Sequence, residues 1–268
     1  MIVIKVIFVL IVMYLFMVCP KLFNRKDCSM FKGYFYAHRG LYDNNSDCPE
    51  NSLNAIRKAV ENGYGIELDV QLSKDDVLVV FHDASLKRVC GIDGKVWDYT
   101  YDELKNMKLF NSNETIPTFK EVLEVIDGKV PFILEYKLDV ANTKVCQLSN
   151  ELLNHYNGLY CIESFHPLAL MWYKKNRPDI IRGQLSMYYW KEEKHNGSLL
   201  MLCLTYLLSN FLTRPDFIAY DQEDVSNFSR KVTRFFKAFQ VGWTVPSAKR
   251  YEEVKDDFDI VIFENYLP

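Results

Sequence analysis

The sequence predicts an α/β fold of the (β/α)₈ type, a TIM barrel, on two observations. First, eight β-rich runs alternate with helical runs over about 230 residues, which is the element order and the length of such a barrel. Second, the competing open, doubly wound sheet usually begins with a glycine-rich turn after its first strand, and the segment HRGLYDNN at 38–45 has no such turn. We therefore expect one barrel domain over residues 34–268.

The predicted strands share a high content of β-branched and aromatic residues and end at turn-forming residues. In chain order they are 34–38, 65–72, 131–138, 159–165, 180–185, 216–221, 239–245 and 259–264. A further apolar run at 77–82 predicts an extra hairpin strand beside the second strand. Apolar residues between the strands recur at three- and four-residue spacing, which predicts helices at 52–63, 118–128, 143–156, 166–176 and 247–258.

Residues 87–116 interrupt this alternation of strands and helices. The segment has turn signals at Gly91 and at Asp93-Gly94, and one helical stretch, TYDELKNMKL, at 100–109. We interpret it as a small insertion after the second strand that packs over the mouth of the barrel.

The first twenty residues, MIVIKVIFVLIVMYLFMVCP, predict a transmembrane anchor over 1–20. Lys5 is their one charged side chain, and about 20 apolar residues are what a membrane-spanning helix needs. A cleaved signal peptide is less consistent with the sequence, because no small residues of the A-x-A kind precede Pro20. Residues 21–33 form a basic linker, whose charge favours a single-pass protein of the cell membrane with its catalytic domain in the cytoplasm.

Composition excludes several classes of function. The net charge is −3, from 32 basic and 35 acidic residues, so no nucleic acid is expected as a partner. The seven cysteines lie far apart and form no C-x-x-C pair, which indicates neither a disulfide framework nor a zinc cluster.

Charged side chains stand near the ends of predicted strands, which in a barrel is where the active site lies. His38 ends the first strand, Glu67 and Asp69 lie on the second, and His82 ends the hairpin strand. Residues two apart on a strand share a face, and the apolar residues between the two acids must face the helices. We therefore expect Glu67 and Asp69 to point into the barrel.

Glu135 and Lys137 are spaced in the same way on the third predicted strand. Three carboxylates, from Glu67, Asp69 and Glu135, would repel one another inside a barrel and would lose their hydration. One divalent cation between them removes this difficulty. An all-oxygen ligand set without a thiol favours Mg²⁺ or Ca²⁺, with Mn²⁺ as a further candidate.

The remaining residues of this set suit the chemistry of a phosphate. His38 and His82 carry imidazoles, whose ordinary pKa lies near neutrality, so one can act as a base and the other as an acid. Arg39 and Lys137 can hold an anionic oxygen. A purely structural role is less consistent with the set, because buried acids without a function are costly.

The order of motifs in this chain resembles the glycerophosphodiester phosphodiesterase family. The matching blocks are AHRG at 37–40, PENS at 49–52, GIELDVQLSKDDVLVVFHD at 65–83, IPTFKEVLEVI at 116–126 and ILEYK at 133–137. The chain departs from the family's usual ending after the last strand, where it reads FENYLP at 263–268.

The resemblance implies a metal-dependent enzyme that hydrolyses glycerophosphodiesters to glycerol 3-phosphate and an alcohol, here at a membrane. It also implies that the glycerol 2-hydroxyl attacks phosphorus first, giving a cyclic phosphate that water then opens. Carried onto this chain, it assigns the cation to Glu67, Asp69 and Glu135, proton transfer to His38 and His82, phosphate binding to Arg39 and Lys137, and a supporting role to Glu50.

Two further features bear on the substrate. Trp243, on the seventh predicted strand, either faces the substrate or is ordinary packing. The apolar run SLLMLCLTYLLSNFL at 198–212 either packs as a barrel helix or lies against membrane lipid near the site. Two alternatives to the glycerophosphodiester activity stay open: lysophospholipase D-type hydrolysis of membrane lysophospholipids, and a non-catalytic lipid- or phosphate-binding membrane module.

Overall fold

Eight parallel strands close into a barrel in the computed structural model, which describes residues 1–138, 142–191 and 198–268. These strands are β1 Tyr36–His38, β2 Gly65–Leu72, β4 Phe132–Tyr136, β5 Tyr160–Ser164, β6 Arg182–Ser186, β7 Phe217–Asp221, β8 Phe239–Val245 and β9 Ile260–Phe263. Because β1 pairs with both β2 and β9, the sheet has no free edge among the parallel strands. One further strand, β3 (Leu78–Val80), pairs antiparallel with β2.

Helices cover the outside of the barrel and follow the strands in the predicted alternation. They are α1 Ile2–Val18, α2 Leu53–Glu61, α3 Lys87–Cys90, α4 Tyr101–Leu104, α5 Phe119–Ile126, α6 Lys144–Leu153, α7 Pro167–Asn176, α8 Leu199–Thr205, α9 Asn210–Thr213, α10 Phe228–Phe235 and α11 Ala248–Val254. Hydroxyl side chains begin four of them, α2, α5, α8 and α11; for example, Ser52 Oγ accepts from the backbone N–H of Ala55, and Thr118 Oγ1 accepts from that of Glu121.

The predicted (β/α)₈ barrel is confirmed. The hairpin strand and all eight parallel strands begin and end within two residues of their predicted bounds. The alternation along β2 is also as expected, since Ile66, Leu68 and Val70 pack with the covering helices and send the two acids between them inward. At the bottom of the barrel, Gly183 leaves room for the Phe217 ring, which a Cβ would approach to 2.0 Å.

The insertion after β3 has a hydrophobic cluster of its own. Val89, Leu104 and Ile116 pack against Val79 and Phe81, on and just after the hairpin strand. The helix predicted at 100–109 is shorter than expected and ends at Leu104. The chain turns there because the backbone N–H of Met107 donates to the carbonyl of Leu104, and Lys108 then forms an antiparallel β-bridge with Thr115.

The predicted transmembrane anchor over 1–20 is not supported by the structure. Helix α1 has 17 residues, about 26 Å at 1.5 Å per residue, against a hydrocarbon core of about 30 Å. The helix ends at Val18, because Cys19 adopts an extended backbone and Pro20 has no N–H to continue the helix. Within the described residues, no helix combines the length and the apolar character that crossing a bilayer requires.

The last turn of α1 is fixed to the barrel, whereas its first three turns are not. Asn210 Nδ2 donates to the carbonyl of Val18 at 2.8 Å, and Arg214 Nη1 donates to the carbonyl of Cys19 at 2.6 Å. Tyr14 shares a hydrogen bond of 2.7 Å with Ser229 of α10. Residues 2–13 are exposed, and all of them except Lys5 are apolar.

Candidate active site

The three predicted metal ligands meet inside the barrel. Glu67 and Asp69 lie on β2 and Glu135 on β4, where Asp69 and Glu135 are direct partners in the strand register. One carboxylate oxygen from each of the three lies within 4.8 Å of the other two, and all three side chains are buried. The ligand atoms are all oxygens, so the cluster fits a hard divalent cation such as Mg²⁺ or Ca²⁺.

Lys137 shares this cluster with two of the acids. Its Nζ lies 2.6 Å from Glu135 Oε1 and 3.0 Å from Asp69 Oδ1. Burial alone would lower the pKa of Lys137, but the charges of Asp69 and Glu135 raise it overall. The side chain is therefore an ammonium group at neutral pH, placed beside the acids as the strand spacing predicts.

Glu67 and Asp69 have opposite electrostatic environments. Burial, and then the charges of Asp69 and Glu135, raise the pKa of Glu67 well above its usual value. Burial also acts to raise the pKa of Asp69, but Lys137, His82 and Arg39 lower it overall. Without a cation, burial and the neighbouring acids therefore favour the protonated form of Glu67, whereas the neighbouring positive groups favour the ionised form of Asp69.

His38 stands at the end of β1 with one ring nitrogen occupied. Its Nδ1 lies 2.8 Å from Glu264 Oε2, and the same oxygen accepts from Tyr42 Oη at 3.1 Å. The hydrogen bond from His38 is the main reason that the pKa of Glu264 is lowered. A carboxylate partner assigns the proton to Nδ1, so Nε2, which lies 3.8 Å from Glu67 Oε2, keeps its lone pair.

His82 is held in a similar way on the other side of the site. Its Nδ1 lies 2.6 Å from Asp83 Oδ1, and Asp83 also accepts from Arg88 Nε of the insertion at 2.7 Å. His38 and His82 line one cavity of about 80 Å³. The predicted pair of imidazoles therefore faces a common space, which Glu67, Glu135 and Lys137 also line.

Arg39 and Glu50 form the rim of the acid cluster. The backbone N–H of Arg39, which has a left-handed φ of +55°, donates to Glu67 Oε2 at 3.2 Å. Its Nη1 donates to Glu50 Oε1 at 2.7 Å, and Glu50 also accepts from both terminal nitrogens of Arg88. Burial acts to raise the pKa of Glu50, but Arg88 and Arg39 bring it down to about 2. Glu50 thus joins Arg39 to Arg88 of the insertion through hydrogen bonds.

Trp243, for which the sequence leaves substrate contact and ordinary packing open, lies on β8. Its indole lines the cavity between the histidines, and it also makes an edge contact with Phe165, with ring centroids 5.5 Å apart.

The structure adds site residues that pattern reasoning missed. Glu163 of β5 is the register partner of Glu135, and burial followed by the charge of Glu135 raises its pKa well above the usual value. Asn51, inside the PENS motif, donates from Nδ2 to Asp69 Oδ2 at 2.9 Å. Alternation along β5 could have indicated Glu163, and Glu264 ends the last predicted strand, but Asn51 reaches the site only through the folding of its loop.

The comparisons with known proteins agree with this geometry. The model of the glycerophosphoryl diester phosphodiesterase family matches residues 38–198, more than half of the chain. The chain belongs to this family. Among the relatives that carry the name glycerophosphodiester phosphodiesterase, one from Bacillus altitudinis is 35% identical over 57% of this chain, and one from Bos taurus, designated 1, is 30% identical over 78%. The chain spans 66% of the bacterial relative's length and 70% of the bovine one.

Solved structures of the family share the fold. A phosphodiesterase of Oleispira antarctica, in complex with the product sn-glycerol-3-phosphate, superposes with a TM-score of 0.70 at 25% identity and covers 87% of this chain and 94% of its own. The glycerophosphodiester phosphodiesterase of Thermotoga maritima gives a TM-score of 0.66 at 27% identity, covering 86% of this chain and 94% of its own.

Proposed function

We propose that this protein hydrolyses glycerophosphodiesters to glycerol 3-phosphate and an alcohol, with one divalent cation held by Glu67, Asp69 and Glu135. The observation that carries the proposal is the meeting of three buried acids within 4.8 Å, beside Lys137 and two imidazoles that line the same cavity. Family membership supports it, as does the relative from Oleispira antarctica that binds sn-glycerol-3-phosphate as product.

The charged residues bind and orient the phosphate. When bound, the cation supplies positive charge that neutralises phosphoryl oxygens. Lys137 and Arg39 add two positive side chains at the same place, and the hydrogen bond to Glu50 keeps the Arg39 guanidinium in position. Fixed positive groups of this kind stabilise the charge that develops on phosphorus-bound oxygens in the transition state.

The two histidines move the protons. Glu264 fixes the proton of His38 on Nδ1, which leaves Nε2 free to accept a proton from the attacking hydroxyl. Asp83 accepts from Nδ1 of His82, and its negative charge favours the imidazolium form, whose Nε2 proton can pass to the oxygen of the departing alcohol. A non-catalytic binding module would have no need for two imidazoles that are each oriented by a carboxylate.

The test is product analysis with glycerophosphocholine as substrate. We expect the purified protein to release glycerol 3-phosphate and choline in equal amounts, to stop in EDTA, and to recover with Mg²⁺, Ca²⁺ or Mn²⁺. The His82→Asn variant controls for a contaminating hydrolase. Hydrolysis that continues unchanged in that variant, or the absence of hydrolysis across a panel of glycerophosphodiesters with each metal, would refute the proposal.

We also propose that the enzyme works at a lipid surface. The support is the run of exposed apolar side chains on residues 2–13, together with Leu199 and Leu200 of α8, which are 73% and 63% exposed. Flotation of the full chain with phosphatidylcholine–phosphatidylglycerol liposomes tests this, and we expect it in the floated fraction. Complete recovery in the bottom fraction would refute it.

A further inference from the structure

A second, much larger cavity opens beside the catalytic one. Its volume is about 820 Å³, against about 80 Å³ for the cavity between the histidines, and both are lined by His82, Glu135 and Lys137. The walls away from these three residues are largely apolar and come from four helices. Representative side chains are Met17 of α1, Leu168 and Met171 of α7, Met201 of α8, and Phe211 and Leu212 of α9.

We propose that this cavity binds the hydrocarbon chain of the substrate, so that the enzyme acts on single-chain glycerophosphodiester lipids. The inference rests on the proposed function and names its substrate class. A volume of about 820 Å³ is within the range of roughly 300–1,000 Å³ that ligand-binding cavities have. Because the polar catalytic groups lie at one end, a lipid with a phosphate at the head and a chain behind it fits the distribution of polarity.

Two polar side chains in the walls outside the catalytic end are already used within the protein, and a third, Ser209 Oγ, has no hydrogen-bond partner among the described residues. His166 Nδ1 accepts from the backbone N–H of Leu168 at 3.2 Å and begins α7. Ser164 Oγ donates to the carbonyl of Tyr136 at 2.7 Å. A ligand with several hydroxyl or charged groups would therefore leave most of them unpaired against the apolar walls, whereas an alkyl chain would not. The methionine side chains in the wall adapt to chains of different length.

The mouth of the cavity is apolar and adjoins the exposed helix α1. Leu200 is 63% exposed at the rim, and Met171, Phe211 and Leu212 are each about one-third exposed. Met17, in the last turn of α1, lines the same cavity. A chain leaving a lipid layer beside α1 could therefore enter the cavity along apolar surface, which commits the proposal to lipid-derived diesters.

The reaction on such a lipid balances as a simple hydrolysis. Water supplies a hydroxyl to phosphorus and a proton to the oxygen of the leaving alcohol, and the phosphorus–oxygen bond to that alcohol breaks. From 1-octanoyl-glycerophosphocholine the products are choline and 1-octanoyl-glycerol 3-phosphate. The acyl ester is untouched, because it lies in the apolar cavity away from the acids and the histidines.

The first arm of the test varies chain length. Turnover of glycerophosphocholine is compared with that of its 1-hexanoyl, 1-octanoyl and 1-decanoyl derivatives, all below their micelle-forming concentrations. Each fully buried methylene group is worth a factor of roughly four in affinity, so kcat/KM should rise steeply along the series, up to about that factor per methylene. A kcat/KM that is independent of chain length in the wild-type protein would overturn the proposal.

The second arm fills the cavity without touching the catalytic residues. Met201→Trp places an indole inside it, and Leu199→Trp makes the same change two residues earlier on α8, where the side chain is 73% exposed and outside the cavity. We expect Met201→Trp to keep the turnover of glycerophosphocholine and to lose the gain with chain length, while Leu199→Trp behaves as the wild type. If Met201→Trp does not fold, Leu168→Trp fills the opposite wall. Unchanged chain-length dependence in a folded cavity variant would overturn the proposal.

A binding measurement separates this proposal from the proposed function. Calorimetry with 1-octanoyl-glycerophosphocholine in EDTA reports binding without turnover. Binding to the wild type that is lost in the cavity variant supports the lipid cavity even if no diester is hydrolysed, in which case only the proposed activity fails. Equal binding to both proteins, or binding to neither, overturns the cavity assignment whatever the turnover.

Discussion

Replacing Glu67 by glutamine tests the electrostatic account of the acid cluster most sharply. Glutamine keeps the shape of the side chain and imitates the protonated form that burial and two neighbouring charges already favour in the metal-free protein. We therefore expect the metal-free Glu67→Gln protein to be at least as stable as the wild type near neutral pH. The same change should remove most of the stabilisation that a divalent cation gives.

The size of the repulsion follows from the distance between the carboxylate oxygens, and the size of the metal effect follows from how far the cation concentration exceeds its Kd. Two like charges 4.8 Å apart repel by about 3.5 kcal/mol at an effective dielectric constant of 20. A cation at one hundred times its Kd stabilises the wild type by about 2.7 kcal/mol. For a domain of this size, that corresponds to a rise in Tm of about 5 °C, at roughly 2 °C per kcal/mol.

The pH dependence has a definite sign. The pKa of Glu67 is higher in the folded chain than in the unfolded chain, so the folded state binds more protons between the two values. The free energy of unfolding of the metal-free wild type should therefore fall as pH rises from the ordinary carboxyl pKa to the raised one. In Glu67→Gln this decline should be smaller, because one raised carboxyl is gone.

The assay is thermal unfolding in EDTA and in a titration with Mg²⁺, Ca²⁺ and Mn²⁺. Glu163→Gln is the matched control, because Glu163 is also a buried acid beside Glu135 whose pKa is raised, yet it lies outside the group of three. We expect the control to keep the metal-dependent rise in Tm. An equal rise in Glu67→Gln, or no rise in the wild type with any of the three metals, would refute the reasoning.

Three further predictions concern catalysis and the ion pairs. Replacing His38 or His82 by alanine should lower kcat by about 10²–10⁴-fold in steady-state kinetics and leave Tm nearly unchanged. A decrease in kcat of less than about tenfold would contradict this prediction. Burial lowers the pKa of His38, and the charge of Glu264 raises it, so Glu264→Gln should lower this pKa further. Because His38 must be unprotonated to act as a base, the acid limb of the plot of kcat/KM against pH should move to lower pH. An acid limb that does not move would count against the role of His38. Lys137→Met leaves Asp69 and Glu135 buried without their ammonium partner. A urea titration of the metal-free protein at pH 7 should show a free energy of unfolding lower by about 3–5 kcal/mol. A decrease below about 1 kcal/mol would contradict this prediction.

Much of the barrel and of its site could be predicted because the information is local in the chain. Alternation along β2 sends Glu67 and Asp69 inward, and the spacing of two residues does the same for Glu135 and Lys137. His38 is the last residue of β1, and His82 follows β3 by two residues. Parallel strands in a barrel end at one face, which brings His38 to the acids, and the antiparallel hairpin of β3 with β2 returns His82 to them.

The remaining features depend on contacts between distant segments. Glu264 reaches His38 only because closure of the barrel places β9 beside β1. The apolar run at 198–212 predicts a barrel helix or a lipid contact, and its contribution to the cavity wall appears only when α7 and α1 face it. The length of α1 was overestimated because hydropathy continues to Cys19, whereas the helix ends at Val18.

The central claim is that Glu67, Asp69 and Glu135 share one divalent cation. Crystals of the protein soaked in Mn²⁺ and measured at the manganese absorption edge test it directly. The account predicts one strong anomalous peak that is in bonding contact with an oxygen of each of the three carboxylates, and with Lys137 displaced from between them. An anomalous map without a peak at the cluster, at a soak concentration that restores hydrolysis, would contradict it.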